Sequence, residues 1–139
     1  MCLTLYVASD KPIRAKADEA FSIESLWDTC GFEKRPIIRH QFSKPHVMYL
    51  GAYEGCACGF GKHGERGRLS LDSLRMFLKE QLERVEELEL YGCWIGDETE
   101  PPEERLEVTP DHFGQSFDFY VFYRVRKAAE RGVAADEAR

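Results

Sequence analysis

The sequence predicts an α+β fold: a single antiparallel or mixed sheet covered by one main amphipathic helix. Three patterns carry that expectation. Apolar residues alternate over 2–8, 88–94 and 117–125, the period of a half-buried strand. They recur at helical spacing over 70–86. Two runs rich in β-formers, 36–42 and 46–52, flank the joint Ser43-Lys44-Pro45, which reads as a hairpin turn.

Taken in order, the first strand sets Leu3, Leu5 and Val7 on one face and Cys2, Thr4 and Tyr6 on the other. In 17–30, Ala17, Ala20, Phe21, Leu26 and Trp27 suit a helix stopped by Gly31, while Phe21 and Ile23 also alternate as in a strand. Val47 to Leu50 are apolar without alternation, as expected of a central strand covered on both faces. Ser70 is the expected helix cap, with Asp72 in the first turn. Leu71, Leu74, Leu78, Leu82 and Val85 then form the buried stripe, with Phe77 beside it. In 88–94, Leu88, Leu90, Gly92 and Trp94 oppose Glu89, Tyr91 and Cys93. The acidic segment 96–104 reads as a solvated loop, and Thr109-Pro110-Asp111 opens a turn or short helix. With a helix over 17–30 the order is βαββαβ, ferredoxin-like, plus a final strand; without it, a plainer sheet with one covering helix remains. No linker interrupts the pattern, so 1–125 is read as one domain and 126–139 as a polar tail.

At 139 residues the chain has the length of one domain, and its 43% hydrophobic content is enough to build a core without cross-links. The formal charge of −6 disfavours nucleic acid as a partner, and the absence of an 18-residue apolar run disfavours a membrane span. Self-association stays open. The apolar start lacks the basic flank of a signal peptide, so a cytoplasmic address is expected. Five cysteines (Cys2, Cys30, Cys56, Cys58, Cys93) are an odd count without an export signal and read as reduced thiols. Cys2 and Cys30 are expected to be small buried apolar residues.

Chemistry concentrates in the loop "YEGCACGFGKHGERGRLS" (53–70); six of the 11 glycines lie at 51, 55, 59, 61, 64 and 67. Three readings compete there with simple local packing. The first is a metal site, zinc or iron, on Cys56, Cys58 and His63, with Cys93 as fourth ligand if the strand after the helix returns near the loop, or else His46 or a carboxylate. The C-x-C spacing is tighter than the usual zinc pair. The second is a redox or nucleophilic thiol at Cys56 or Cys58, activated by Lys62, Arg66 and Arg68 with His63 as base. The third is an anion site on Lys62, Arg66 and Arg68 ahead of a helix N-terminus. "GFGKHG" (59–64) matches G-x-G-x-x-G, but it sits too far from both strand and helix for dinucleotide binding, and a P-loop fails on spacing and on His63. His40, His46 and His112 read as structural. The aromatics of 117–123 read as core rather than a stacking surface for single strands.

The segments "MCLTLYVASD", "FSKPHVMYLGAYEGCACGF" and "YGCWIGDE" resemble a family of small uncharacterised bacterial proteins with a Met-Cys start, a Leu-Tyr-Val-Ala-Ser strand and a Gly-Cys-x-Cys-Gly-Phe loop. The likeness covers roughly the first hundred residues. It implies an intracellular stand-alone domain and no particular activity. The leading expectation is therefore a small binding or assembly protein without assigned catalysis.

Overall fold

The structure is a computed structural model and describes residues 2–25, 38–53, 55–62 and 64–128. Seven strands form one sheet in the order β2-β3-β4-β1-β5-β7-β6. They are β1 (Leu3–Ser9), β2 (Lys16–Ala17), β3 (Ser22–Ser25), β4 (His46–Gly51), β5 (Glu87–Trp94), β6 (Glu104–Val108) and β7 (Val121–Arg126). One long helix, α1 (Glu65–Gln81), and two short 3-10 turns, Ala57–Gly61 and Pro110–Phe113, complete the described elements. The expected α+β fold, one sheet with one main helix, is what forms among the described residues.

β1 lies at the centre, antiparallel to both β4 and β5; Tyr6 pairs with Tyr49 on one side and Tyr91 on the other. β4 and β5 therefore run parallel, and α1 is the crossover between them, with β1 threaded through the gap. Strand alternation splits the interior in two. Leu5, Val7, Leu50, Leu88, Leu90, Tyr123 and Val125 face α1 and meet its Leu71, Leu74, Phe77 and Leu78. Tyr6, Ala8, Val47, Tyr49, Tyr91, Cys93 and Phe122 form a second cluster on the opposite face, joined by Ile38. Both faces of the central strands are thus covered, as the unalternating run at 47–50 predicts.

Several local expectations are corrected. No helix forms over the described part of 17–30: Ser22–Ser25 is a strand paired with β4, because Phe21 and Ile23 are buried against the helix-side core. With β1 antiparallel to both of its neighbours, the ferredoxin-like order, whose first strand runs parallel to one neighbour, does not apply. In the described part of 36–42, Ile38 and Arg39 are helical and a turn follows, with no strand; β4 pairs with β3 and β1, so the expected 36–42/46–52 hairpin is replaced. Residues 26–37, the rest of both segments, lie outside the described residues, as do 129–139 of the expected tail.

α1 begins five residues before the expected cap. Gly64 precedes it at φ 103, a conformation that favours glycine, and Glu65 complements the helix dipole in the first turn. Ser70 lies inside the helix, where its hydroxyl accepts from the Tyr53 N–H (3.0 Å) and donates to the Ala20 carbonyl (2.8 Å). A serine that ties a helix to two neighbouring segments reads, in sequence, like a cap.

The acidic segment is not wholly solvated. Glu98 is 3% exposed. Its carboxylate accepts from the Tyr6 hydroxyl at 3.3 Å and from the Gly96 N–H at 3.0 Å. After it, Glu104–Val108 forms the unforeseen edge strand β6, parallel to β7, with Leu106 and Val108 packed on the core and charged residues between them. The expected turn at 109–111 is the 3-10 turn Pro110–Phe113. The strand expected over 117–125 starts only at Val121, because Tyr120 adopts φ 67 and turns its N–H to the Gly92 carbonyl (2.7 Å).

Candidate functional site

The glycine-dense loop is anchored rather than loose. The Ala52 N–H donates to the Cys56 carbonyl and the Gly55 N–H to the Ala52 carbonyl, both at 2.8 Å. Ala57 and Phe60 are fully buried, and the Phe60 ring meets Phe21 and Phe117. Backbones approach closely: a β-carbon at Gly59 would lie 2.7 Å from that of Ala52, and one at Gly67 would lie 2.2 Å from the Lys62 oxygen. The glycines serve tight packing between loop and helix.

This packing delivers two sulfurs to the start of the central strand. The Cys58 sulfur accepts the Leu3 N–H at 3.2 Å, which seats the loop against β1. Cys2, the residue before β1, is exposed; Cys56 and Cys58 are half-buried. The sulfurs of Cys2, Cys56 and Cys58 all lie within 4.8 Å of one another. Sulfurs held tetrahedrally around zinc at about 2.3 Å stand roughly 3.8 Å apart, so small side-chain rotations would close this trio on one ion.

Burial pushes the Cys56 thiol up to about 11, and the neighbouring Cys58 and Cys2 sulfurs add to the rise, while a hydrogen bond from the Cys58 N–H acts the other way. Crowded sulfurs resist carrying several negative charges unless a positive ion shares the site. The same direction runs against an activated nucleophile, whose thiol would have to lie low.

Of the residues singled out in sequence, Cys56 and Cys58 come together and His63 lies outside the described residues. Cys93 sits at the same end of the sheet, paired with Thr4, but its side chain is fully buried in the face away from α1. It is not part of the trio; Cys2 takes that place. The three basic residues separate. Arg66 stacks over the Tyr53 ring at 4.4 Å, whereas Lys62 and Arg68 line a cavity of about 330 Å³ with Gly64, Leu71, Gly114 and Gln115.

Among the described residues no helix is long and apolar enough to cross a membrane. No protein-family model matches the chain, and comparison with curated proteins and with solved structures gives no match either.

Proposed function

We propose that the protein binds a thiophilic metal ion, zinc in the first instance, through Cys2, Cys56 and Cys58. The carrying observation is the convergence of three sulfurs from positions 54 and 56 residues apart in the chain. Thiolates are soft ligands suited to zinc and to other thiophilic ions. The Leu3 N–H supports the Cys58 sulfur from the backbone, the role that outer hydrogen bonds play at metal sites. Zinc in a protein takes four ligands, and His63 belongs to the set to be tested for the fourth. The reading is one of binding, with no catalytic role assigned.

Cobalt titration of the reduced chain tests it. The expected result is a thiolate-to-cobalt charge-transfer band saturating at one equivalent and bleached by zinc. Serine at Cys2, Cys56 or Cys58 should weaken zinc roughly a hundredfold, the share of one ligand in a site of about 10–16 kcal/mol. Absence of the band, or its persistence unchanged in all three variants, refutes the assignment. His63→Ala reports whether the imidazole completes the set.

A further inference from the structure

We propose that the thiol trio is also a redox switch, in which two-electron oxidation joins Cys2 to Cys56 as a disulfide and ejects the bound metal ion. The ejection half rests on the metal reading; the cross-link stands on geometry alone.

Cys2 is the exposed member and the one an oxidant meets first. Its backbone is held by the Ile95 N–H donating to its carbonyl at 2.9 Å, while its side chain lies at the surface. Its sulfur lies within 4.8 Å of that of Cys56. The competing bond, Cys56 to Cys58, would close a very small ring across one residue. It would have to distort the turn Ala57–Gly61, whose Ala57 is fully buried, so it carries strain that the Cys2–Cys56 bond avoids. Cys58 keeps its own partner, the Leu3 N–H.

With hydrogen peroxide as oxidant the step balances. The Cys2 thiolate attacks one peroxide oxygen, the O–O bond breaks, and the departing hydroxide takes a proton to become water, leaving a sulfenic acid on Cys2. The Cys56 sulfur then attacks the Cys2 sulfur; the S–O bond breaks and the hydroxide leaves as a second water with another proton. Two sulfurs have lost one electron each, and the peroxide has gained both. A disulfide offers no thiolate, so the ion keeps only Cys58 of the three sulfurs and leaves.

The experiment uses the full chain, reduced, with and without zinc, treated with hydrogen peroxide and read by intact mass, peptide mapping and a chromogenic zinc chelator. The expected result is loss of two hydrogens, a cross-linked peptide joining Cys2 to Cys56, one zinc released per cross-link, and reversal by dithiothreitol. Cys58→Ser should retain the cross-link; Cys2→Ser and Cys56→Ser should abolish it. A bond mapped between Cys56 and Cys58, or oxidation that stops at sulfenic or sulfinic acid, overturns the switch. Zinc binding without any cross-link also overturns the switch while leaving the metal reading intact. A cross-link in a chain that binds no zinc overturns the metal reading and the ejection step.

Discussion

Gly67→Ala is the substitution that best tests how the loop is held. In an open helix the change would stabilise, since alanine is favoured over glycine by about 1 kcal/mol. Here the new β-carbon would stand 2.2 Å from the Lys62 oxygen, 3.1 Å from its carbonyl carbon and 3.2 Å from the Gly59 oxygen. The closest contact is about 1 Å short of van der Waals separation, and its partner is backbone, which cannot swing aside as a side chain would. Overpacking of this kind costs roughly 1–3 kcal/mol, at the upper end where backbone must move. The clash therefore outweighs the propensity gain, leaving a net loss of roughly 1–2 kcal/mol. Unfolding entropy of about 2.1 cal/mol/K per residue over 139 residues is roughly 290 cal/mol/K, so Tm should fall by about 3–7 °C. Because Gly59 follows Cys58 directly and Lys62 ends the same 3-10 turn, the relaxation should also move that sulfur from Leu3 and weaken zinc, roughly tenfold for an outer-contact disturbance. Thermal unfolding by circular dichroism, with Met76→Ala on the exposed side of α1 as control, supplies the measurement. The control should stay within about 0.5 kcal/mol of wild type. A Gly67→Ala protein with an unchanged or higher Tm would show that loop and helix do not press together and would remove the basis for a preset thiol pair.

Ser70→Ala should cost roughly 1–3 kcal/mol in urea unfolding, because the Tyr53 N–H and the Ala20 carbonyl lose their shared partner; a neutral result would mean that the serine is only a solvated helix residue. Cys93→Ser should destabilise by about 1–3 kcal/mol, by placing a hydroxyl in the aromatic cluster, yet leave zinc stoichiometry at its wild-type value; loss of zinc would return Cys93 to the ligand set. Stability of the metal-free chain should fall as pH rises above about 9. Burial pushes Cys56 up from 9.0 to about 11 and Tyr123 from 10.0 to about 12, so in that window the unfolded chain gives up these protons before the folded one does. Equal urea midpoints at pH 8 and pH 10.5 would contradict both shifts.

Periodicity made the centre of this fold readable. Leu3, Leu5 and Val7, the Leu71–Leu82 stripe and the pair Leu88 and Leu90 each announce a face that the structure buries against the others. What stayed hidden depends on contacts distant in sequence. Ser22–Ser25 is a strand because β4 is there to pair with it, and Glu104–Val108 because β7 is; each is too short and too polar to declare itself. Glu98 enters the interior because a tyrosine hydroxyl, four strands' worth of chain away, meets its carboxylate, and composition alone puts such a residue in water.

The site divides along the same line. Cys56 and Cys58 are conspicuous because they are close in sequence. Cys93 attracted attention for the right strand end, but the alternation of 88–94 already groups it with Glu89 and Tyr91, on the face opposite Leu88 and Leu90. Cys93 is held inside β5 and is fully buried in that face's cluster, whereas Cys2 precedes β1 and is exposed, so only Cys2 meets the loop. Cys2 gave no comparable signal. A lone cysteine before an apolar strand is, by frequency, a buried filler. Its significance arises because β1 is the strand onto which the loop folds, through the Leu3 N–H and the Cys58 sulfur. The trio exists only when β1 occupies the gap between β4 and β5, so metal affinity and native sheet order should be lost together when the protein unfolds. A thiol pair local to residues 56–58 would instead keep much of its affinity in the unfolded chain, and that difference separates a composite site from a motif.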